Sequence, residues 1–155
     1  MKRNPNLNYA CLPMENAYNV RELGGYATKK GSVTNHHQFL RSENLTDITE
    51  EDKTFLIEYG LSAIIDLRSR EEALIYPNPF RGNAAVNYMN CPLITEDVLD
   101  LRAVKEKGFD PGAFYIKLVE YKEMICKIFH FILDNLDGCI LFHCQAGKDR
   151  TGVLA

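Results

Sequence analysis

The residues with the clearest chemical potential are a cysteine and an arginine in the last stretch of the chain, LFHCQAGKDRTGVLA (residues 141–155). Cys144 ends an apolar run, Arg150 stands six positions later, and Gly147 lies between them. A loop of this length can curl so that its backbone N–H groups point inward and bind an anion. An arginine guanidinium can grip two phosphate oxygens as a fork. The spacing therefore predicts a phosphate site with Cys144 at its floor.

A cysteine at the floor of such a loop also has chemistry of its own. Positive surroundings lower the pKa of a thiol, so that Cys144 would exist as a thiolate. A thiolate facing a bound phosphate is placed for in-line attack on phosphorus, which would give a cysteinyl-phosphate intermediate. Thr151 could donate its hydroxyl to the sulfur and help it leave afterwards. The alternative for the same residues is a buried structural cysteine beside a surface turn.

The elements that must position this loop follow an alternating pattern. Apolar segments at residues 61–67, 85–93 and 139–144 predict strands, and helical patterns lie before, between and after them. Strand and helix in alternation favour right-handed crossovers and a largely parallel sheet. We therefore predict an α/β fold, with a mostly parallel central sheet flanked by helices. Ligands bind at the carboxyl ends of strands in such sheets, and Cys144 stands at such an end.

The helix boundaries can also be read from the sequence. Thr46 or Thr49 can cap a helix with an acidic first turn, and Ser69 can cap a short helix that ends before Pro77. Residues 113–136 carry an apolar stripe at helical spacing and predict one long helix that follows Pro111 and Gly112.

The bulk properties limit the classes of protein that fit. The 155 residues suggest one domain, here residues 19–155, preceded by an irregular arm over residues 1–18. No apolar run suits a membrane helix, and no signal peptide is evident, so we expect a cytoplasmic protein without stable membrane insertion. The net charge of −3 argues against nucleic-acid binding. Five cysteines, an odd number without a disulfide pattern, favour a reducing compartment, and we expect no metal or cofactor.

Four stretches together resemble one known family. HCQAGKDRTG (residues 143–152) resembles the signature loop of cysteine-dependent tyrosine phosphatases, in particular a bacterial branch that contains tyrosine and lipid phosphatases. NVRELGG (19–25), FLRSENL (39–45) and AIIDLRSREE (63–72) resemble further motifs of that branch, in the same order. The resemblance extends from Asn19 to the last residue.

The resemblance implies a protein tyrosine phosphatase that works through a cysteinyl-phosphate intermediate. Cys144 would be the nucleophile, Arg150 would bind phosphate, and His143 and Thr151 would support the loop and tune the thiol. The phosphate-binding loop would consist of Gln145, Ala146, Gly147, Lys148, Asp149 and Arg150. The substrate would be a phosphorylated protein, with phosphoserine or phosphothreonine as further targets.

The same loop suggests a second substrate class. The Lys148–Asp149 pair is shared with phosphatases that accept phosphoinositides. Lys148 would add positive charge beside the loop and favour substrates that carry more than one phosphate.

The general acid is open between two places in the chain. The leaving oxygen needs a proton, and a nearby carboxylic acid should supply it. Asp149 inside the loop is the favoured candidate. The family also offers an acid soon after a P-L pair, where this chain has CPLITED, so Asp97 or Glu96 is the alternative.

The remaining matched residues have structural interpretations. Asp66 and Arg68 follow a buried strand and are expected to form an ion pair, with Arg41 in a similar role. Asn19 and Arg21 could line the phosphate site from the opposite wall or could anchor the turn at Gly24-Gly25.

The family domain continues well beyond the signature loop, whereas five residues follow Arg150 here. We interpret the chain as the N-terminal part of a single phosphatase domain, which would need a C-terminal segment or a second chain to cover its sheet. Two other functions remain open. One is a phosphate-binding or regulatory module without turnover, and the other is a rhodanese-like sulfur transferase, against which Arg150-Thr151-Gly152 argues.

Overall fold

A five-stranded sheet forms the centre of the computed structural model, which describes residues 10–93 and 110–155. Its strands are β1 Arg21–Glu22, β2 Phe39–Ser42, β3 Leu61–Asp66, β4 Asn87–Asn90 and β5 Cys139–His143. The helices are α1 Glu50–Glu58, α2 Arg70–Ile75, α3 Pro111–Glu120, α4 Lys122–Leu133 and α5 Asp149–Leu154. The predicted α/β class is confirmed.

The sheet order β1-β2-β5-β3-β4 places the strand before Cys144 in the middle. β2, β5, β3 and β4 run parallel to one another, and β1 pairs antiparallel with β2 at the edge of the sheet. His143 at the end of β5 is level with Ser42 of β2 and Asp66 of β3. The carboxyl ends of three strands therefore meet at one edge, where the loop begins.

Both faces of the sheet are covered, which explains the uninterrupted apolar sequence of the central strands. Ile64 and Leu141 pack on one face, together with Leu12 and Leu56. The neighbouring residues Ile65, Ile140 and Phe142 pack on the other face, against Leu118 and Ile128 of α3 and α4. Leu12, Met14 and Ala17 are buried, so the described part of the arm contributes to the core although it has little regular structure.

Two helices begin with reciprocal side-chain caps, which fixes where they start. The Thr49 hydroxyl accepts from the N–H of Asp52, and the Asp52 carboxylate accepts from the N–H of Thr49. Ser69 and Glu72 form the same arrangement at the start of α2. Each such box satisfies two backbone donors at a helix end. Of the two predicted caps for α1, Thr49 is the one used.

The prediction of one long helix over residues 113–136 is wrong in one respect. The chain leaves the helical conformation at Tyr121, with φ −75° and ψ 67°, and α3 and α4 are separate. No proline or glycine stands between residues 113 and 137. The apolar spacing also continues through the break, so the sequence carries no local signal for it. No helix within the described ranges is long and apolar enough to cross a membrane.

Candidate active site

The loop after β5 is held in a conformation that requires glycine at its centre. Cys144 follows the strand directly and is 3% exposed. Gly147 has φ +67°, and a Cβ built there would lie 2.6 Å from the carbonyl oxygen of Ser42. A larger residue would therefore be both strained and in collision with β2. The close approach seats the loop against the edge of the sheet.

Hydrogen bonds from outside the loop set the direction of its peptide groups. Three consecutive carbonyls accept them: Gln145 from the Asn44 N–H at 3.0 Å, Ala146 from Asn19 Nδ2 at 3.2 Å, and Gly147 from Arg41 Nη2 at 2.7 Å. The C=O and N–H of a trans peptide point in opposite directions, and the described residues contain no cis peptide. The N–H groups that follow these carbonyls therefore point to the inner side of the loop, as an anion cradle requires.

Arg150 is fixed by a carboxylate on the neighbouring helix. Its Nη1 and Nη2 donate to the two oxygens of Glu72 at 2.6 and 3.0 Å. The Arg150 side chain is 11% exposed, which makes this pair less open to solvent than a surface salt bridge. The hydrogen bonds from Arg150 are the main cause of the lowered pKa of Glu72. The guanidinium is thus oriented before any ligand arrives.

The surroundings of Cys144 favour the ionised form of its thiol. Burial alone would raise its pKa, but the nearby Thr151 hydroxyl and N–H, the charge of Arg150 and the Gly147 N–H together lower the pKa below its ordinary value. The Thr151 hydroxyl is buried and forms no hydrogen bond with any residue that the structure describes, so it remains available as a donor inside the loop. This is the environment of a reactive cysteine.

His143 supports the loop as a neutral ring. It is fully buried, and burial lowers its pKa despite the opposing charge of Asp66. Its Nε2 lies 3.0 Å from Nδ2 of Asn78, and its Nδ1 lies 3.2 Å from the carbonyl oxygen of Cys144. A neutral ring with its proton on Nδ1 satisfies both contacts, since Nε2 then accepts from the Asn78 amide. His143 therefore holds the Cys144 backbone.

The predicted ion pair between Asp66 and Arg68 is present and reaches the loop indirectly. Two hydrogen bonds of 2.9 and 2.7 Å join the side chains, and both are fully buried. Arg68 Nη1 also donates to the Asn44 side chain at 2.9 Å, and the Asn44 backbone holds the Gln145 carbonyl. The pair is structural, as expected, and it steadies one wall of the cradle.

Asp149 makes a contact that the sequence does not suggest. Tyr115 of α3 donates its hydroxyl to Asp149 Oδ1 at 2.5 Å. Asp149, Lys148 and Gln145 are all exposed at the rim of the loop. The alternative acids Glu96 and Asp97 lie outside the described residues. Of the candidate acids, Asp149 is thus the one whose surroundings can be described.

The remaining matched residues Arg41 and Asn19 contact the loop directly. Arg41 donates to the Gly147 carbonyl at 2.7 Å, and within the described ranges the structure records no ion pair for it, so the expected ion pair stays a prediction. Arg21 Nε donates to the Asn19 side chain at 2.8 Å, and Asn19 in turn contacts the loop. The turn at Gly24 is held instead by Glu22.

Sequence reasoning missed several residues that hold the site: Asn44, Glu72, Asn78 and Tyr115. Glu72 has a visible signal, because Ser69-x-x-Glu72 is a capping box, but its second contact with Arg150 is not readable from spacing. Asn78 and Tyr115 give no local signal, since their partners are far away in the chain. Among the described residues, no group of three or more potential ligands could hold a metal ion.

A central parallel strand is followed directly by a buried cysteine, a glycine-centred loop and an arginine held by a carboxylate, and this places the protein in the class of α/β proteins with a cysteine-to-arginine loop after the central strand. Comparison with known proteins gives the family. The chain belongs to the tyrosine phosphatase family, whose model matches residues 12–155.

Two curated relatives, both from bacteria, agree with this assignment. A tyrosine-protein phosphatase of Nostoc commune is 31% identical over 119 residues, which cover 76% of this chain and 40% of the relative. A protein of Cupriavidus necator whose name also describes a tyrosine-protein phosphatase is 29% identical over 154 residues, which cover 93% of this chain and 55% of the relative. The matched part of the chain thus spans about half the length of each of these relatives.

Proposed function

We propose that the protein hydrolyses phosphoric monoesters, with phosphotyrosine in proteins as its main substrate class. The observation that carries the proposal is the joint placement of Cys144 and Arg150 in one loop. The thiol has a lowered pKa, and the guanidinium is oriented by Glu72. The family and the names of the two relatives support the substrate class.

In the first step, Cys144 takes the phosphoryl group from the substrate. The inward N–H groups of the loop and the Arg150 guanidinium bind the non-bridging oxygens and stabilise the charge on them. The sulfur attacks phosphorus in line with the leaving oxygen, so that an S–P bond forms as the P–O bond breaks. Asp149 gives its proton to that oxygen, and the alcohol or phenol departs.

In the second step, water releases the phosphate. Asp149, now a carboxylate, takes a proton from the attacking water, the new P–O bond forms and the S–P bond breaks. The electron pair returns to the sulfur. The groups that lower the pKa of the Cys144 thiol also make the sulfur a good leaving group. Burial opposes them, and Thr151 makes the largest contribution among the groups that lower the pKa.

The direct test is hydrolysis of p-nitrophenyl phosphate by the purified protein. Cys144→Ser should abolish turnover and vanadate should inhibit the parent protein, because vanadate occupies the same anion cradle. Cys126→Ser is the matched control, since Cys126 is exposed on α4, and it should keep full activity. Phosphate binding without cysteine-dependent turnover would instead identify a binding module.

Phosphoinositides are the second substrate class in this proposal. Lys148 is exposed beside the cradle, where its charge can meet an additional phosphate on the substrate. Lys148→Ala should lower kcat/KM for a phosphoinositide by about tenfold more than for a phosphotyrosine peptide. Lys117→Ala removes an exposed positive charge from α3. It should leave kcat/KM unchanged for both the phosphoinositide and the phosphotyrosine peptide. Equal losses on both substrates in Lys148→Ala would contradict a lipid-directed role.

A further inference from the structure

The hydrogen bond between Tyr115 and Asp149 joins two helices that are otherwise distant in the chain. The donor lies on α3 and the acceptor is the first residue of α5, 34 positions later. α3 is anchored to the core through Leu118, which is fully buried. The hydroxyl of Tyr115 is therefore presented from a fixed element to a carboxylate at the rim of the phosphate loop.

We propose that Tyr115 is a positioning residue for the acid of the reaction. It holds Oδ1 of Asp149, so that Oδ2 is the oxygen that meets the leaving group. An exposed carboxylate without such a partner rotates among several rotamers, and most of them do not face a bound substrate. This inference rests on the proposed function and adds to it a residue outside the signature loop.

The proton balance is compatible with this arrangement. Before the first step Asp149 carries its proton on Oδ2, while Oδ1 accepts from Tyr115. When the proton moves to the leaving oxygen, the negative charge on the carboxylate increases, and the same hydrogen bond becomes charge-assisted and stronger. In the second step Oδ2 receives a proton from water. Tyr115 keeps its own proton throughout, in agreement with the raised pKa that its bond to Asp149 causes.

The test uses the dependence of rate on the leaving group. A substrate with a basic leaving group, such as phenyl phosphate, needs the acid, whereas a p-nitrophenolate departs almost without help. Tyr115→Phe removes the hydroxyl and keeps the ring. We expect kcat/KM for phenyl phosphate to fall about tenfold, with less than about twofold change for p-nitrophenyl phosphate. Asp149→Asn should show the same selectivity with a larger loss.

The controls separate positioning from a merely structural effect. Tyr121→Phe removes a hydroxyl at the end of the same helix and should leave both substrates unaffected. An equal loss on both substrates in Tyr115→Phe, or no loss on either, would overturn the inference. If Asp149→Asn also shows no selectivity, Asp149 is not the acid and there is nothing for Tyr115 to position. Loss of all turnover in Cys144→Ser would still support the hydrolase in either case.

Discussion

Cys139 and Cys144 show how the surroundings of one residue determine its chemistry. Cys139 begins β5, where burial and the charge of Glu22 raise its pKa to about 12. Cys144 follows the other end of the same strand, and its pKa is lowered although it is also buried. The difference arises from the donors that face the sulfur, namely Thr151, Arg150 and Gly147. Residue type alone therefore does not distinguish the proposed nucleophile Cys144 from the core cysteine Cys139.

The first prediction concerns the hydroxyl of Thr151. Thr151→Val should raise the pKa of Cys144, because it removes a donor to the thiolate and keeps the volume of the side chain. Alkylation of Cys144 by iodoacetate should then reach its half-maximal rate at a higher pH than in the parent protein. Peptide mapping reports each cysteine separately, and Cys139 should stay unreactive at neutral pH in both proteins. An unchanged pH profile for Cys144 would contradict the role of Thr151.

The second prediction concerns Glu72. Glu72→Gln should lower kcat/KM for p-nitrophenyl phosphate by about 10- to 100-fold, because Arg150 loses the carboxylate that orients it. The adjacent Glu71→Gln is the matched control, since Glu71 is exposed and makes no contact with Arg150. Similar activities of the two variants would show that Arg150 does not need Glu72 for its orientation.

At the scale of elements, the residue that caps the start of α2 also holds Arg150 of the candidate site. Ser69 and Glu72 cap the helix reciprocally, and the same Glu72 oxygen that accepts from the Ser69 N–H also accepts from Arg150. A change in the cap should therefore alter the orientation of Arg150, the proposed phosphate-binding residue, although Ser69 itself is not in the loop. The cap of α1 has no such connection with Arg150 and serves as a reference.

The third prediction compares these two caps. Ser69→Ala and Thr49→Ala should each lower the free energy of unfolding by about 1 kcal/mol, as measured by urea denaturation. Only Ser69→Ala should also lower kcat/KM, because it loosens the carboxylate that holds Arg150. Equal activities in the two variants would mean that the orientation of Glu72 does not depend on its cap.

The fold was more predictable than the contacts that hold the site. The apolar runs and the caps at Thr49 and Ser69 predict the sheet class and the helix starts, because these signals are local. The sequence also predicts the loop from Cys144 to Arg150, because the cysteine, the glycine and the arginine that characterise it lie within one short stretch. The contacts of Glu72, Asn78 and Tyr115 are set by crossovers between distant elements, and a single sequence does not show them. The break at Tyr121 likewise has no local signal, since neither proline nor glycine stands near it.

At the scale of the whole molecule, the buried pair of Asp66 and Arg68 connects the middle of the sheet to the loop. Burial raises the pKa of Asp66, but the hydrogen bonds and charge of Arg68, together with the hydrogen bond from Tyr88, outweigh burial and hold the pKa below the ordinary value of 3.8. A buried charge without its partner is costly, so the stability of the fold depends on both members.

The fourth prediction concerns this pair and acid. Since the pKa of Asp66 is lower in the folded state, its stabilisation is present above pH 3.8 and is lost as the pH falls through the folded value. The free energy of unfolding should therefore decrease more steeply below pH 3.8 in the parent protein than in Asp66→Asn. Arg68→Met should cost about 3–5 kcal/mol at neutral pH, because it leaves Asp66 uncompensated. Equal acid slopes would contradict the assignment.

The most direct measurement of the central claim is detection of the phosphoryl group on the protein during turnover. The protein is mixed with p-nitrophenyl phosphate, denatured within the first turnovers and mapped by mass spectrometry. The cysteinyl-phosphate mechanism predicts one phosphoryl group, on the peptide that contains Cys144, and its absence in Cys144→Ser. Turnover without a phosphorylated Cys144, or with the phosphoryl group on another residue, would contradict it.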